Sequence, residues 1–180
     1  MKTKFLFFLI TLTTFCNAQI VSIPNSTFKT RLLSANPSNT IAKDVNGNYI
    51  DIDTNNDNEI QESEALQVKE LKLVESINVA SIEGINSFLN ITKLEIKFNG
   101  LINADLTALN LLNYVDIYCG NLNLGTKNNL ETLNAIHTTS ITYTSATATL
   151  KKITSSLNLF LNINYLFKVN LEEIKIQNFT

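Results

Sequence analysis

The chain has 180 residues, 44% of them hydrophobic, with only five glycines and two prolines. That composition excludes a disordered or low-complexity polymer, and the length suffices for one domain with a packed core. Sixteen acidic against fourteen basic residues give a formal charge of −2, which lacks the basic footprint that nucleic-acid binding needs.

The first segment fixes the compartment. Lys2 and Lys4 precede an apolar run from Phe5 to Phe15 that only threonines interrupt, and Cys16-Asn17-Ala18 offers a small-residue cleavage site before Gln19. Residues 1–18 therefore read as a secretory signal peptide, too short to span a bilayer. Lipid attachment at Cys16 is the weaker reading, because bulky Phe15 precedes it. A secreted or cell-surface protein with no membrane span follows. Removing this leader takes away two lysines and no acid, so the charge falls from −2 to −4. It also leaves Cys119 as the single cysteine, so no intramolecular disulfide can staple the fold.

Residues 19–67 form the second unit. Asn25 or Ser26 is placed to cap a helix carrying Phe28, Leu32 and Leu33. Pro37 and the stretch to Asp51 interrupt it, with Asn46-Gly47 marking a turn. Then comes Asp53-Thr54-Asn55-Asn56-Asp57-Asn58-Glu59-Ile60-Gln61-Glu62-Ser63-Glu64, which fits the twelve-residue EF-hand template for calcium. Asp53, Asn55 and Asp57 place oxygens at alternate positions of a curling loop. Glu59 would supply its backbone carbonyl, Gln61 would act directly or through water, and Glu64 would close the shell with two carboxylate oxygens. Ile60 is the apolar anchor. The sixth position is Asn58 where the template has glycine, and asparagine is the next-best residue for the left-handed backbone required there. A calcium sensor needs paired helices that swing open. The short stretch after Glu64 allows no such pair, so Ca2+ is expected here as a structural ion that stiffens an N-terminal cap.

Residues 68–180 carry a repeat. The template apolar-x-x-apolar-x-apolar occurs as Val68–Leu71–Leu73, Ile91–Leu94–Ile96 and Leu112–Val115–Ile117. It recurs as Leu130–Leu133–Ala135, Leu150–Ile153–Ser155 and Leu171–Ile174–Ile176. Successive starts lie 23, 21, 18, 20 and 21 residues apart. The last two positions of each unit share one strand face, so stacked units predict a parallel sheet over a continuous core. Ile82, Ile85, Phe88 and Leu89, then Leu101, Leu106 and Leu109, would close the back through helical or irregular segments. Ala135 and Ser155 are poor core residues, so the array is degenerate. A β-helix is the nearest competing solenoid.

These six units resemble bacterial leucine-rich repeats of about 21 residues, with Asn99 and Asn158 where a repeat asparagine bonds the turn backbone. Ile23-Pro24 and Phe28, followed by the calcium loop and the repeats, resemble the N-terminal segment of secreted bacterial leucine-rich-repeat surface proteins. The resemblance implies an α/β solenoid with short parallel strands on the concave face and an N-terminal helix and calcium-loop cap. It also implies binding of an extracellular protein or glycan.

Alternation gives the concave face directly. It should carry Glu70, Lys72 and Val74; Lys93, Glu95 and Lys97; and Tyr114, Asp116 and Tyr118. Glu70 should sit beside Lys93, and Lys72 beside Glu95. Tyr114, Asp116 and Tyr118, an acid between two amphipathic rings, form the candidate ligand-binding patch. No catalytic residues are assigned. His137 is the single histidine, Cys119 sits at a strand exit, and no third group orients a Cys–His pair. The expected role is a non-enzymatic binding or adhesion module. The alternative is a structural scaffold or a fragment of a larger surface protein. The chain stops soon after the last template without a polar capping repeat, which favours that alternative and self-association through an open C-terminal end.

Overall fold

The computed structural model describes residues 19–145, 149–155 and 171–177. Residues 1–18, read above as a signal peptide, Asn158 and the last three residues of the chain lie outside them.

The chain enters as an extended segment at Gln19–Val21, which bonds back to the end of the 53–64 loop (Val21 N–H to Ile60 O, 2.8 Å). Helix α1 (Ser26–Leu33) follows, and its cap is Asn25, whose Oδ1 accepts from Phe28 N–H at 2.9 Å. Phe28 and Leu32 are fully buried, and the Phe28 ring meets Phe98 edge-on at 6.5 Å. Strand β1 (Ala42–Lys43) and the single helical turn α2 (Glu62–Ala65) complete the N-terminal part.

The repeat region is a solenoid built mostly of sheet. Its first sheet comprises β1, β2 (Glu70–Asn78), β3 (Lys93–Asn99), β5 (Tyr114–Tyr118), β7 (Thr132–Ala135), β9 (Lys152–Ser155) and β10 (Glu173–Ile176), in that spatial order. β1 joins antiparallel, and every later pairing is parallel. Glu70 pairs with Lys93, Lys93 with Tyr114, Tyr114 with Thr132, Thr132 with Lys152, and Lys152 with Glu173. These are the offsets of the sequence template, so the uneven repeat lengths are absorbed outside the strands. Thr92, Asn113, Glu131, Lys151 and Glu172 stack just ahead of their strands. Each backbone N–H donates to the carbonyl one turn earlier over 2.7–2.9 Å.

The template residues of the first five units are at most 1% exposed, including Ala135 and Ser155. In the sixth, Ile174 and Ile176 are 47% and 42% exposed.

The back of the core differs from the expected helical or irregular closure, and the class is mostly sheet rather than α/β. A second parallel sheet runs there, in the order β4 (Asn103–Asp105), β6 (Asn121–Thr126), β8 (Ser140–Ser145). The cause is a second period-two pattern, since Ala104 and Leu122 are buried between more exposed neighbours and Leu124 repeats the spacing. Among the described residues only the first turn uses a helical closure, a 3-10 turn at Ile85–Ser87. Ile82, Ile85, Phe88, Leu101, Leu106 and Leu109 are buried as expected, whereas Leu89 is 46% exposed. Asn99 lies exposed at the end of β3, where its backbone carbonyl accepts from Val79 N–H at 2.9 Å. It is not a buried repeat asparagine.

Among the described residues no helix is long and apolar enough to cross a membrane.

Candidate functional site

Strand alternation sends Leu94, Ile96, Val115 and Ile117 into the core, and it turns Lys93, Glu95, Lys97, Tyr114, Asp116 and Tyr118 to the other face. Glu70 stands beside Lys93 and Lys72 beside Glu95, as the spacing requires. Tyr114, Asp116 and Tyr118 all lie on β5, the middle strand of seven.

Asp116 is more deeply set than a surface acid, at 7% exposure. Its Oδ2 receives Lys97 Nζ at 2.8 Å, while Oδ1 is buried without a hydrogen-bond partner in the structure. Beside it, Asn134 reaches the Tyr114 hydroxyl with its amide nitrogen at 3.3 Å. Neither tyrosine presents a bare ring. Lys93 Nζ lies 5.1 Å from the centre of the Tyr114 ring, and Lys97 Nζ lies 5.1 Å from that of Tyr118. The His137 ring meets Tyr118 edge-on at 4.3 Å.

This arrangement recurs. Lys93 also bonds Glu95 at 3.2 Å, and at the N-terminal end of the sheet Lys43 lies 5.2 Å from the Tyr49 ring centre and 3.2 Å from Glu70. Three lysines thus each combine one tyrosine with one carboxylate. A small cavity of about 130 Å³ opens between the first two such groups, walled in part by Lys43, Tyr49, Glu70, Lys93 and Glu95.

The charges respond to these contacts. The hydrogen bond to Glu95 outweighs burial and holds Lys93 above the usual lysine value. Burial pulls Lys97 down, but the bond to Asp116 and its charge, with Tyr118 and Tyr114, raise it overall. Burial, then the negative charges of Asp116 and Glu95, push the Tyr114 hydroxyl up. The lysines are thus cationic and the Tyr114 hydroxyl neutral near pH 7.

The 53–64 loop has the backbone its sequence calls for. Asn58 takes φ +64° and Asn56 φ +60°. Asp53 accepts from the amides of Asp57 and Asn58 at 3.2 and 3.0 Å, Asn55 from Asp57 at 3.0 Å, and Asp57 from Glu59 at 2.8 Å. Asn55, Asp57 and Gln61 meet one another within 2.9–3.2 Å. The Glu59 amide bond, then those of Asn55 and Gln61 and the charge of Lys29, outweigh burial and hold Asp57 below the usual carboxylate range.

Glu64 is buried, with Oε1 accepting from Thr54 N–H and Oγ1 at 2.8 Å and Oε2 from Gln61 N–H at 3.0 Å. Ile60 is fully buried, and the Glu59 side chain reaches Lys29 of α1 at 2.7 Å. Among the described residues no three Asp, Glu, His or Cys side chains converge as a ready metal cage. The loop instead gathers Asn55, Asp57 and Gln61, with Glu64 turned onto loop amides. The amide nitrogens of Asn55 and Gln61 make these contacts, and each of the three side chains also carries an oxygen, the hard ligand type that calcium takes.

Cys119 and His137 border one cavity of about 360 Å³ at the exit of β5. Burial pushes the Cys119 thiol up to about 11, and its Sγ lies 3.6 Å from Thr138 Oγ1. It is a protonated thiol near neutrality, unlike an activated nucleophile. Sequence reasoning missed the lysine–tyrosine stacking, although the 21-residue offset that pairs Lys93 with Tyr114 and Lys97 with Tyr118 was sufficient to find it. It also missed the Lys43–Tyr49 group, which depends on an irregular hairpin.

Compared with known proteins, the chain matches no protein-family model and has no significantly similar curated protein.

Proposed function

We propose that this is an exported, non-enzymatic binding module of the leucine-rich-repeat kind, whose first sheet recognises an extracellular protein or glycan and whose 53–64 loop binds a structural calcium ion. The observation that carries the reading is Asp116. A nearly buried carboxylate with one unpartnered oxygen sits on the central strand, between two tyrosines, on the face turned away from the core. Such an oxygen costs free energy unless a donor reaches it. A ligand can supply that donor where the side chains that close over the oxygen part.

Asp53, Asn55, Asp57, Gln61 and Glu64, with the Glu59 carbonyl, would hold the calcium. The ion would supply positive charge to a loop rich in carboxylates and fix it against α1, to which Lys29 already ties Glu59. Asn55, Asp57 and Gln61 lie close together and Asn58 has the left-handed backbone of the template, which supports this assignment.

A screen of immobilised glycans and surface proteins with the wild type, Tyr114→Ala and Tyr118→Ala tests the binding face. Binding that both variants lose supports the reading. Equal binding by all three removes it.

A further inference from the structure

The chemistry of the first sheet narrows the ligand class. Lys43, Lys93 and Lys97 are each matched to a carboxylate (Glu70, Glu95 and Asp116), and Lys72 shares Glu95, so the strip from Lys43 to Asp116 has a net charge of only +1 to offer an ion. An anionic ligand would have to draw lysines away from their acids. A cationic one would have to displace Lys97 from Asp116 or Lys93 from Glu95.

A protein partner fares no better, because interface hot spots rely on aromatic anchors that bury fully against the partner. Here ammonium groups already cover the Tyr49, Tyr114 and Tyr118 rings. What remains is a dense lattice of hydrogen-bonding groups, an unpartnered Asp116 oxygen, and a cavity of about 130 Å³ between the Lys43 and Lys93 groups. That volume is below the range of drug-sized sites. It suits one small unit of a longer molecule.

We infer that this strip binds an uncharged, hydroxyl-rich glycan laid across the strands, with one sugar unit in the cavity walled by Lys43, Tyr49, Glu70 and Glu95 and a hydroxyl beside the Asp116 carboxylate, donated to it where the side chains over its free oxygen part. The inference rests on the concave-face reading above and deepens it. A hydroxyl both donates and accepts, so it can serve the carboxylate oxygens and the lysine N–H groups without disturbing their pairing. Glu95 is the key to the charge match, since it holds both Lys72 (3.6 Å) and Lys93 (3.2 Å). Removing its charge raises the strip from +1 to +2.

The test is affinity electrophoresis of the native protein through gels containing laminarin, mannan or xylan, with alginate as the acidic comparison. The wild type is expected to be retarded by at least one neutral polysaccharide and not by alginate. Asp116→Asn and Glu70→Gln should each weaken that binding at least fivefold, and Glu95→Gln should lose it and gain retardation by alginate. Urea midpoints of the variants establish that they are folded, and Glu70→Gln, at the more exposed position, serves if Asp116→Asn is not.

Retardation by alginate alone overturns the inference, as does equal retardation of wild type and folded variants. Binding only to a protein, lost in Tyr114→Ala, also overturns it but leaves the concave-face reading standing. If no probe and no protein responds to any concave-face variant, both fall.

Discussion

Lys97 Nζ stands 2.8 Å from Asp116 Oδ2, and the other oxygen of that carboxylate is buried with no partner in the structure. The pair is therefore unlike the surrounding surface pairs. Removing Lys97 leaves a nearly buried charge uncompensated, so Lys97→Ala should cost about 1.5–3 kcal/mol. Lys72 is 52% exposed in its pair with Glu95, and Lys72→Ala should cost about 0–1 kcal/mol. Urea denaturation of the two variants in parallel measures the contrast.

The fifth repeat contains a second orphan. Ser155 is fully buried in the slot that Leu73, Ile96 and Ile117 fill in other turns, and its Oγ has no hydrogen-bond partner. Ser155→Ala should stabilise the protein by about 1 kcal/mol. Ile96→Ala, in the equivalent slot three strands earlier, should cost about 2–5 kcal/mol. Both are read from the urea midpoint at unchanged slope.

Gly84 has φ +98°, and a Cβ there would lie 2.7 Å from the Ser22 carbonyl oxygen. The turn before Ile85–Ser87 thus packs directly on the N-terminal segment. Gly84→Ala should destabilise by about 1–3 kcal/mol and increase amide exchange at Val21 and Ser22. Gly47, at φ +83°, has open space around its Cβ position, so Gly47→Ala strains only its own turn and should leave exchange at Val21 unchanged.

Lys127 is buried, with its ammonium bonded to the carbonyls of Leu124 and Thr126. Burial lowers it to about 8 from the usual 10.5, against the opposing pull of Asp105. Between those values the unfolded chain holds a proton that the folded chain has released. Folding stability should therefore rise as the pH goes from about 8 to 10.5. Lys127→Met should remove that rise, as measured by urea midpoints across the interval.

The register of the parallel strands was legible in the sequence up to the shift after Val74, because a period-two pattern recurring at 18–23 residues has one self-consistent stacking; the antiparallel β1 was not. Glu70 beside Lys93 follows from counting alone. The second sheet was equally encoded, in Asn121-Leu122-Asn123-Leu124, but its strands vary in spacing from those of the first. The depth of Asp116 could not be read, because alternation assigns a face and not how far neighbouring long side chains close over it. The loop at 53–64 showed its donor types and its left-handed sixth residue in sequence. Which of those donors meet depends on competing amide contacts such as Thr54 with Glu64, and only coordinates reveal them.

Calcium in the 53–64 loop, as proposed, would hold the N-terminal segment to the solenoid. Its most direct test is the melting temperature of the wild type and Glu64→Gln, each with a chelator and with excess calcium. A ligand bound only by the folded state at a large excess over its Kd adds about 2–3 kcal/mol. The wild type should therefore gain about 5 °C or more with calcium, and Glu64→Gln little. A wild-type melting temperature unchanged by excess calcium would contradict the account.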